Sequence, residues 1–181
     1  MLSLASTTGM VANTVVAEDL TIGKEWMISF EYKPNVDVVA NPEWTNIMTV
    51  TDGNVVGGVC SSRYPIVLIT PNTNDEMIIA SCVNYAYNFH DSNASIKLET
   101  DWNSIVIGQE ERIDDNGENA FFYYYMHNGN LIYETVNTIP RVMEDMKTYI
   151  SDPGHPAANG QIRNLVISSD IKGIYHNNNQ I

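Results

Sequence analysis

The chain has 181 residues, 44% of them hydrophobic, with 22 acidic against 9 basic side chains and a formal charge of −13. That length can bury a full core, and the composition is that of a globular chain rather than a disordered one. The charge argues against nucleic acid, whose affinity rests on Lys and Arg neutralising phosphates, and against an anionic membrane surface. No apolar run reaches the roughly 18–20 residues of a membrane-spanning helix.

Taken in chain order, the first ten residues, Met1 to Met10, have neither a basic n-region nor a continuous apolar h-region, so they do not read as a signal peptide. From Lys24 to Lys33, Trp26, Ile28, Phe30 and Tyr32 share one face while Ser29, Glu31 and Lys33 share the other, and Pro34-Asn35 ends the run. This is the pattern of a half-buried antiparallel strand. Further strands are expected over 44–50, stopped by Asp52-Gly53-Asn54, over 66–70 between Pro65 and Pro71, and over 77–83. A polar loop at 90–95 precedes a strand at 102–109, and an acidic loop spans 110–118. Strands at 121–127 and 131–136 are joined by Asn128-Gly129, a strong hairpin signal. Segment 140–147 has room for one helical turn at most, and strands at 146–150 and 162–167 flank a Pro/Gly-rich loop at 151–160.

Many short strands joined by polar turns, with no sustained 3.6-residue period, imply an all-β protein. We expect a two-sheet antiparallel sandwich or jelly roll forming one domain over 1–181. Trp26, Ile28, Phe30, Ile105 and Ile107 are its core candidates.

A set of residues in the second half is more specific: Trp102, Ile105, Ile107, Gln109, Asn128-Gly129, Asn137, Pro140, Ser151-Asp152-Pro153, Gly160 and Arg163-Asn164-Leu165. With the opening KEWMISFEYKP and the middle SRYPIVLI, this run resembles the concanavalin A-like (laminin-G-like) jelly-roll domain. The variant it resembles is found in secreted and cell-surface proteins of cnidarians and other marine invertebrates, and the resemblance covers about 10–168. It implies two curved antiparallel sheets, a secreted or extracellular setting and a non-enzymatic binding role. The chain departs from that pattern with Gly154-His155 after Ser-Asp-Pro, where relatives tend to carry an aromatic pair.

Motifs for catalysis are missing. The alternating carboxylates of a glucanase strand, a nucleophile elbow and a phosphate loop are all absent from the sequence. His90, His127, His155 and His176 have no metal-ligand spacing and read as surface or loop residues. Calcium is a candidate ion, since Asp52, Asp75, Asp114, Asp115 and Asp152 all fall in turns, but no ligand set follows from their spacing. No cofactor is required by the pattern. Cys60 and Cys82 could be two buried thiols or a disulfide, and the disulfide is the expected form. Asn93-Ala94-Ser95 is a sequon for N-glycosylation in a secreted chain.

The unusual feature is aromatic. In 121–126 both faces of the strand are large and apolar: Phe121, Tyr123 and Tyr125 on one, Phe122, Tyr124 and Met126 on the other. A two-residue Asn-Gly turn would set Tyr133 opposite Tyr124 and extend the second face. Tyr85 and Tyr87 form another aromatic run. An exposed apolar patch of this kind marks a ligand site or a subunit contact. Two functions follow as expectations. One is a lectin-like or matrix-binding module whose partner is a glycan. The other is a soluble carrier that buries an apolar small molecule, such as a carotenoid or lipid, at the contact of a homo-oligomer.

Overall fold

A computed structural model describes residues 2–4, 8–53, 63–84, 86–89 and 95–169, with the side chains of Leu2, Leu4, Tyr87, Asn88 and Phe89 outside that description. Fourteen strands and no helix occur among these residues. They are β1 (Leu2–Leu4), β2 (Thr8–Gly9), β3 (Thr14–Ile22), β4 (Trp26–Pro34), β5 (Thr45–Thr51), β6 (Ile66–Ile69) and β7 (Glu76–Val83). They continue as β8 (Ala86–Phe89), β9 (Ile96–Lys97), β10 (Asn103–Ile113), β11 (Asn119–His127), β12 (Asn130–Asn137), β13 (Met143–Ile150) and β14 (Gly160–Ser169).

The strands form two sheets. The first has the order β1-β14-β4-β10-β11-β12 with β2 added to β14, and the second the order β3-β13-β5-β6-β7-β8 with β9 added to β7. Every ladder is antiparallel. In the first sheet most neighbours are distant in sequence, and in the second the distant strand β13 sits between β3 and β5, as in a jelly roll.

The alternation read from the sequence places the core. Trp26, Ile28, Phe30, Tyr32, Ile105, Ile107, Tyr123, Tyr125, Ile162 and Leu165 of the first sheet are buried. They meet Ile47, Val50, Val67, Ile69, Met77, Ile79, Met146 and Ile150 of the second in one cluster. Each such side chain contributes about 1.5–3 kcal/mol by leaving water. The five core candidates are all in it.

The element boundaries differ in four places. β10 runs on to Ile113, so Glu110–Ile113 belong to a strand and the acidic loop shrinks to the turn at Asp114–Glu118. Segment 140–147, with room for one helical turn at most, enters β13 at Met143. The nine-residue β3 carries no clean alternation, because its ladder with β13 is interrupted three times by register shifts. Its φ of +55° at Asp19 is part of that irregular edge. The short β1, β2, β8 and β9 are too brief for a period to show.

Candidate ligand-binding groove

The aromatic strand β11 is rearranged relative to its sequence pattern by one bulge. Asn128 and Gly129 take φ of +48° and +79° as the two-residue turn requires, and pair His127 with Asn130 and Met126 with Leu131. Ile132 is then skipped, so Tyr133 lies opposite Tyr125, and Glu134 lies opposite Tyr124. The expected Tyr124–Tyr133 pair is thereby corrected. Tyr133 turns inward, and its ring stacks on Tyr125 at 5.4 Å and 22°. It closes an aromatic run through Tyr125, Tyr123, Trp26 and Tyr64 inside the core.

Tyr124 does face outward, yet it is only 2% exposed. The reason is Gly108 on the neighbouring strand, opposite Tyr124 in the ladder. A Cβ there would stand 2.6 Å from the Tyr124 Oη, so the phenol ring lies down on the bare backbone of Gly108. Phe122 and Met126 are half-buried, and Arg112 covers Phe122 with its guanidinium 4.3 Å from the ring centre. Arg112 is ion-paired with Glu110 and Glu134 on either side. What remains is a depression of about 170 Å³ between Glu110, Arg112, Tyr124, Met126, Leu131 and Glu134. Tyr85, Cys60 and Asn93 lie outside the described residues, as does the side chain of Tyr87. Cys82 is in a disulfide, and the Arg141 guanidinium donates to its Sγ at 3.2 Å.

A larger concavity opens at the other end of the same outer face. Gly9, Gln161 and Lys33 stand side by side on β2, β14 and β4, each in register with the next. They floor an open groove of about 610 Å³ whose walls are Pro34, Asn35, Val36, Asp37, Thr100 and Gly160. A Cβ on Gly9 would meet nothing within 4 Å, so this glycine leaves the floor bare. At Gly160 the opposite holds: a Cβ would fall 2.5 Å from both the Lys33 carbonyl and the Tyr32 hydroxyl, so this close crossing of strands admits only glycine.

Both walls are pinned. On one side Asn35 N donates to the Asn159 carbonyl at 2.9 Å, Asn74 Nδ2 to the Val38 carbonyl at 2.7 Å, and Asn72 N to the Asn41 carbonyl at 2.7 Å. The Tyr32 hydroxyl, buried below the floor, donates to Asn159 as well, and burial raises its pKa. On the other side the fully buried Asn103 directs Nδ2 at the carbonyls of Tyr32, Glu99 and Asp101, which holds the turn carrying Thr100. Three carbonyl neighbours fix the orientation of that amide. Asn103 Oδ1 is therefore an acceptor, and His127 Nε2, 2.9 Å away, carries the proton. Burial lowers the His127 pKa and opposes Glu99, which raises it.

Beyond the groove along β4 and β14, the Arg163 guanidinium lies 3.9 Å over the Trp102 ring and donates to Glu31 at 2.6 Å. Asn164 Nδ2 also donates to Glu31, and these bonds hold the Glu31 carboxyl below its usual range. Lys33 Nζ is bound to Asp101 Oδ1 at 3.0 Å at the lip of the groove.

The acids expected to attract calcium are dispersed. Asp75 pairs with Lys97, Asp114 caps its own turn through Asn116 N and Glu118 N, and Asp152 is buried against Thr49 and His155. Among the described residues no three His, Cys, Asp or Glu side chains come together as a metal site. The groove escaped the sequence reading because its lining comes from four separated segments, with no motif in any of them. The one local signal was Trp102 beside Asp101 at a strand entrance.

Comparison with known proteins agrees with the fold. No family model matches the chain. No curated protein matches it either. Among solved structures, the chain is similar to the native heptameric SAP-like pentraxin of Limulus polyphemus, with a TM-score of 0.55 at 10% identity over 89% of this chain and 74% of the pentraxin. It is also similar to the alginate lyase Aly36B, with a TM-score of 0.51 at 10% identity over 91% of this chain and 80% of the lyase. At such identities the likeness is one of fold: a two-sheet antiparallel β-sandwich of the jelly-roll kind.

Proposed function

We propose that this protein is a non-enzymatic binding module that holds an oligosaccharide in the groove floored by Gly9, Gln161 and Lys33. The observation that carries the reading is the groove itself, about 610 Å³ and pinned on both walls before any ligand arrives. That volume lies within the range of small-ligand sites, and a pre-set wall spares the ligand the cost of ordering it. Sugar hydroxyls both donate and accept, and the lining offers both through Asn35, Thr100, Gln161, Lys33 and Asp37. Val36, exposed on the wall, supplies apolar surface for the C–H face of a ring.

The non-enzymatic part rests on the charged groups. The ionisable side chains of the lining are Lys33 and Asp37, and Lys33 is held by Asp101, so no carboxylate pair stands ready for glycosidic cleavage. A secreted setting is part of the proposal, supported by the Cys82 disulfide. A carotenoid or lipid carrier is less well supported, because the depression at Met126 and Leu131 is only about 170 Å³.

Isothermal titration against a panel of neutral oligosaccharides tests the reading. We expect a dissociation constant in the range of about 1 μM to 1 mM, or −8 to −4 kcal/mol. Gly9→Trp fills the floor without meeting any neighbour at Cβ, so it should abolish binding at unchanged melting temperature. Full binding by that variant places the sugar elsewhere.

A further inference from the structure

Resting on the groove as the ligand site, we infer that its ligand is an amino sugar, bound through an ammonium group facing Asp37, and that uronates are excluded. The argument is electrostatic. Lys33 is the single cation of the lining, and its Nζ is already bonded to the Asp101 carboxylate at 3.0 Å. The next cation along the strands, Arg163, is bonded to Glu31 through Nε at 2.6 Å and stacked on Trp102. Each positive charge near the groove is thus matched by a carboxylate.

Asp37 is different. Its backbone N–H donates to Asn35 Oδ1 at 3.3 Å, which fixes the turn, while among the described residues no side chain pairs with its carboxylate. It stands exposed on the groove wall. The site therefore carries one uncompensated negative charge, inside a molecule of formal charge −13. A polyanionic chain meets repulsion at both ranges. A protonated amine gains a charge-assisted hydrogen bond that a hydroxyl or an acetamido group does not. The ring that bears it rests against Val36, and its hydroxyls reach Asn35, Thr100 and Gln161.

Three tetrasaccharides test this at low salt and pH 5.5, where a glucosamine amine is charged: a β-1,4-glucosamine oligomer, its fully N-acetylated form and an alginate oligomer. The glucosamine oligomer should bind at least about tenfold more tightly than the acetylated one, and alginate should not bind. Asp37→Asn should erase the tenfold preference of the glucosamine oligomer over its acetylated form, with the same melting temperature. Equal affinity for the two glucosamine forms, a preference that survives Asp37→Asn, or binding of alginate overturns the inference while the groove reading stands. Binding of none of these or of the neutral panel removes both.

Discussion

Tyr124 and Gly108 show how a single missing side chain decides what a surface is. The ring lies over the glycine, and the outer aromatic face that the strand pattern announces is already covered within the chain. Tyr133 is half-buried and packs inward against the core. Replacing both tyrosines by Ser therefore removes one buried ring, costing about 3–5 kcal/mol if the site does not collapse, and one half-buried ring that costs less. The double variant should be unfolded or nearly so at 25 °C by circular dichroism. A folded variant with native stability would return these residues to an exposed binding patch.

Asp152 carries the clearest acid response. Burial would push its carboxyl up, but hydrogen bonds from His155, Thr49 and Gly154 N, with the His155 charge, outweigh it and hold the group below its ordinary range. A depressed folded pKa means the unfolded chain binds the proton more readily. The contribution is complete above the unfolded value of about 3.9 and is lost as pH falls through the folded one. Asp152→Ala should cost about 1–3 kcal/mol at pH 7, since it leaves Thr49 and Gly154 N without their buried acceptor. Denaturant melts from pH 7 to 2 should show a shallower acid limb for the variant. An identical limb would mean the bonds carry no net energy.

At the scale of elements, the sequence pattern was reliable where a strand gives one face to the core and the other to water. β4 alternates without interruption and β10 does so from Asn103 to Ile107, and the buried apolar residues of these stretches could be named from period alone. It failed where a bulge changes the count. One skipped residue, Ile132, turns Tyr133 over, and nothing in the composition of the strand announces it. The motif residues behind the family resemblance prove to be structural. Gln109 donates to the Lys24 carbonyl at 2.6 Å, and Asn137 donates to Gln109 at 2.6 Å. They brace the sandwich and say little about ligands.

The edge strand β12 is closed in the same way. Asn84, at a φ of +53°, donates through Nδ2 to the Val136 carbonyl, and its Oδ1 accepts from the N–H and hydroxyl of Thr138. Leu131, Ile132 and Val136 are exposed on that edge, so unlatching it offers bare ladder groups beside apolar side chains. Asn84→Ala should raise hydrogen exchange at Thr138 and give concentration-dependent self-association by light scattering. A monomer with unchanged exchange would show that the bulge alone protects the edge.

For the whole molecule, fold and function were legible to different depths. The two sheets and the core follow from local alternation, which the long central strands carry in their own residues. The groove gathers Gly9, Lys33 with Asp37, Thr100 and Gln161 from four places, and the antiparallel order β2-β14-β4-β10 brings them together. A site that is a product of topology leaves no spacing to read.

The most direct test of the groove is the amide chemical-shift map of the protein titrated with a binding oligosaccharide. Perturbations should concentrate at Gly9, 35–37, Thr100 and 160–161, the backbone that floors and walls the cleft. Shifts confined to Phe122, Met126 and Leu131, at the opposite end of the sheet, would contradict it.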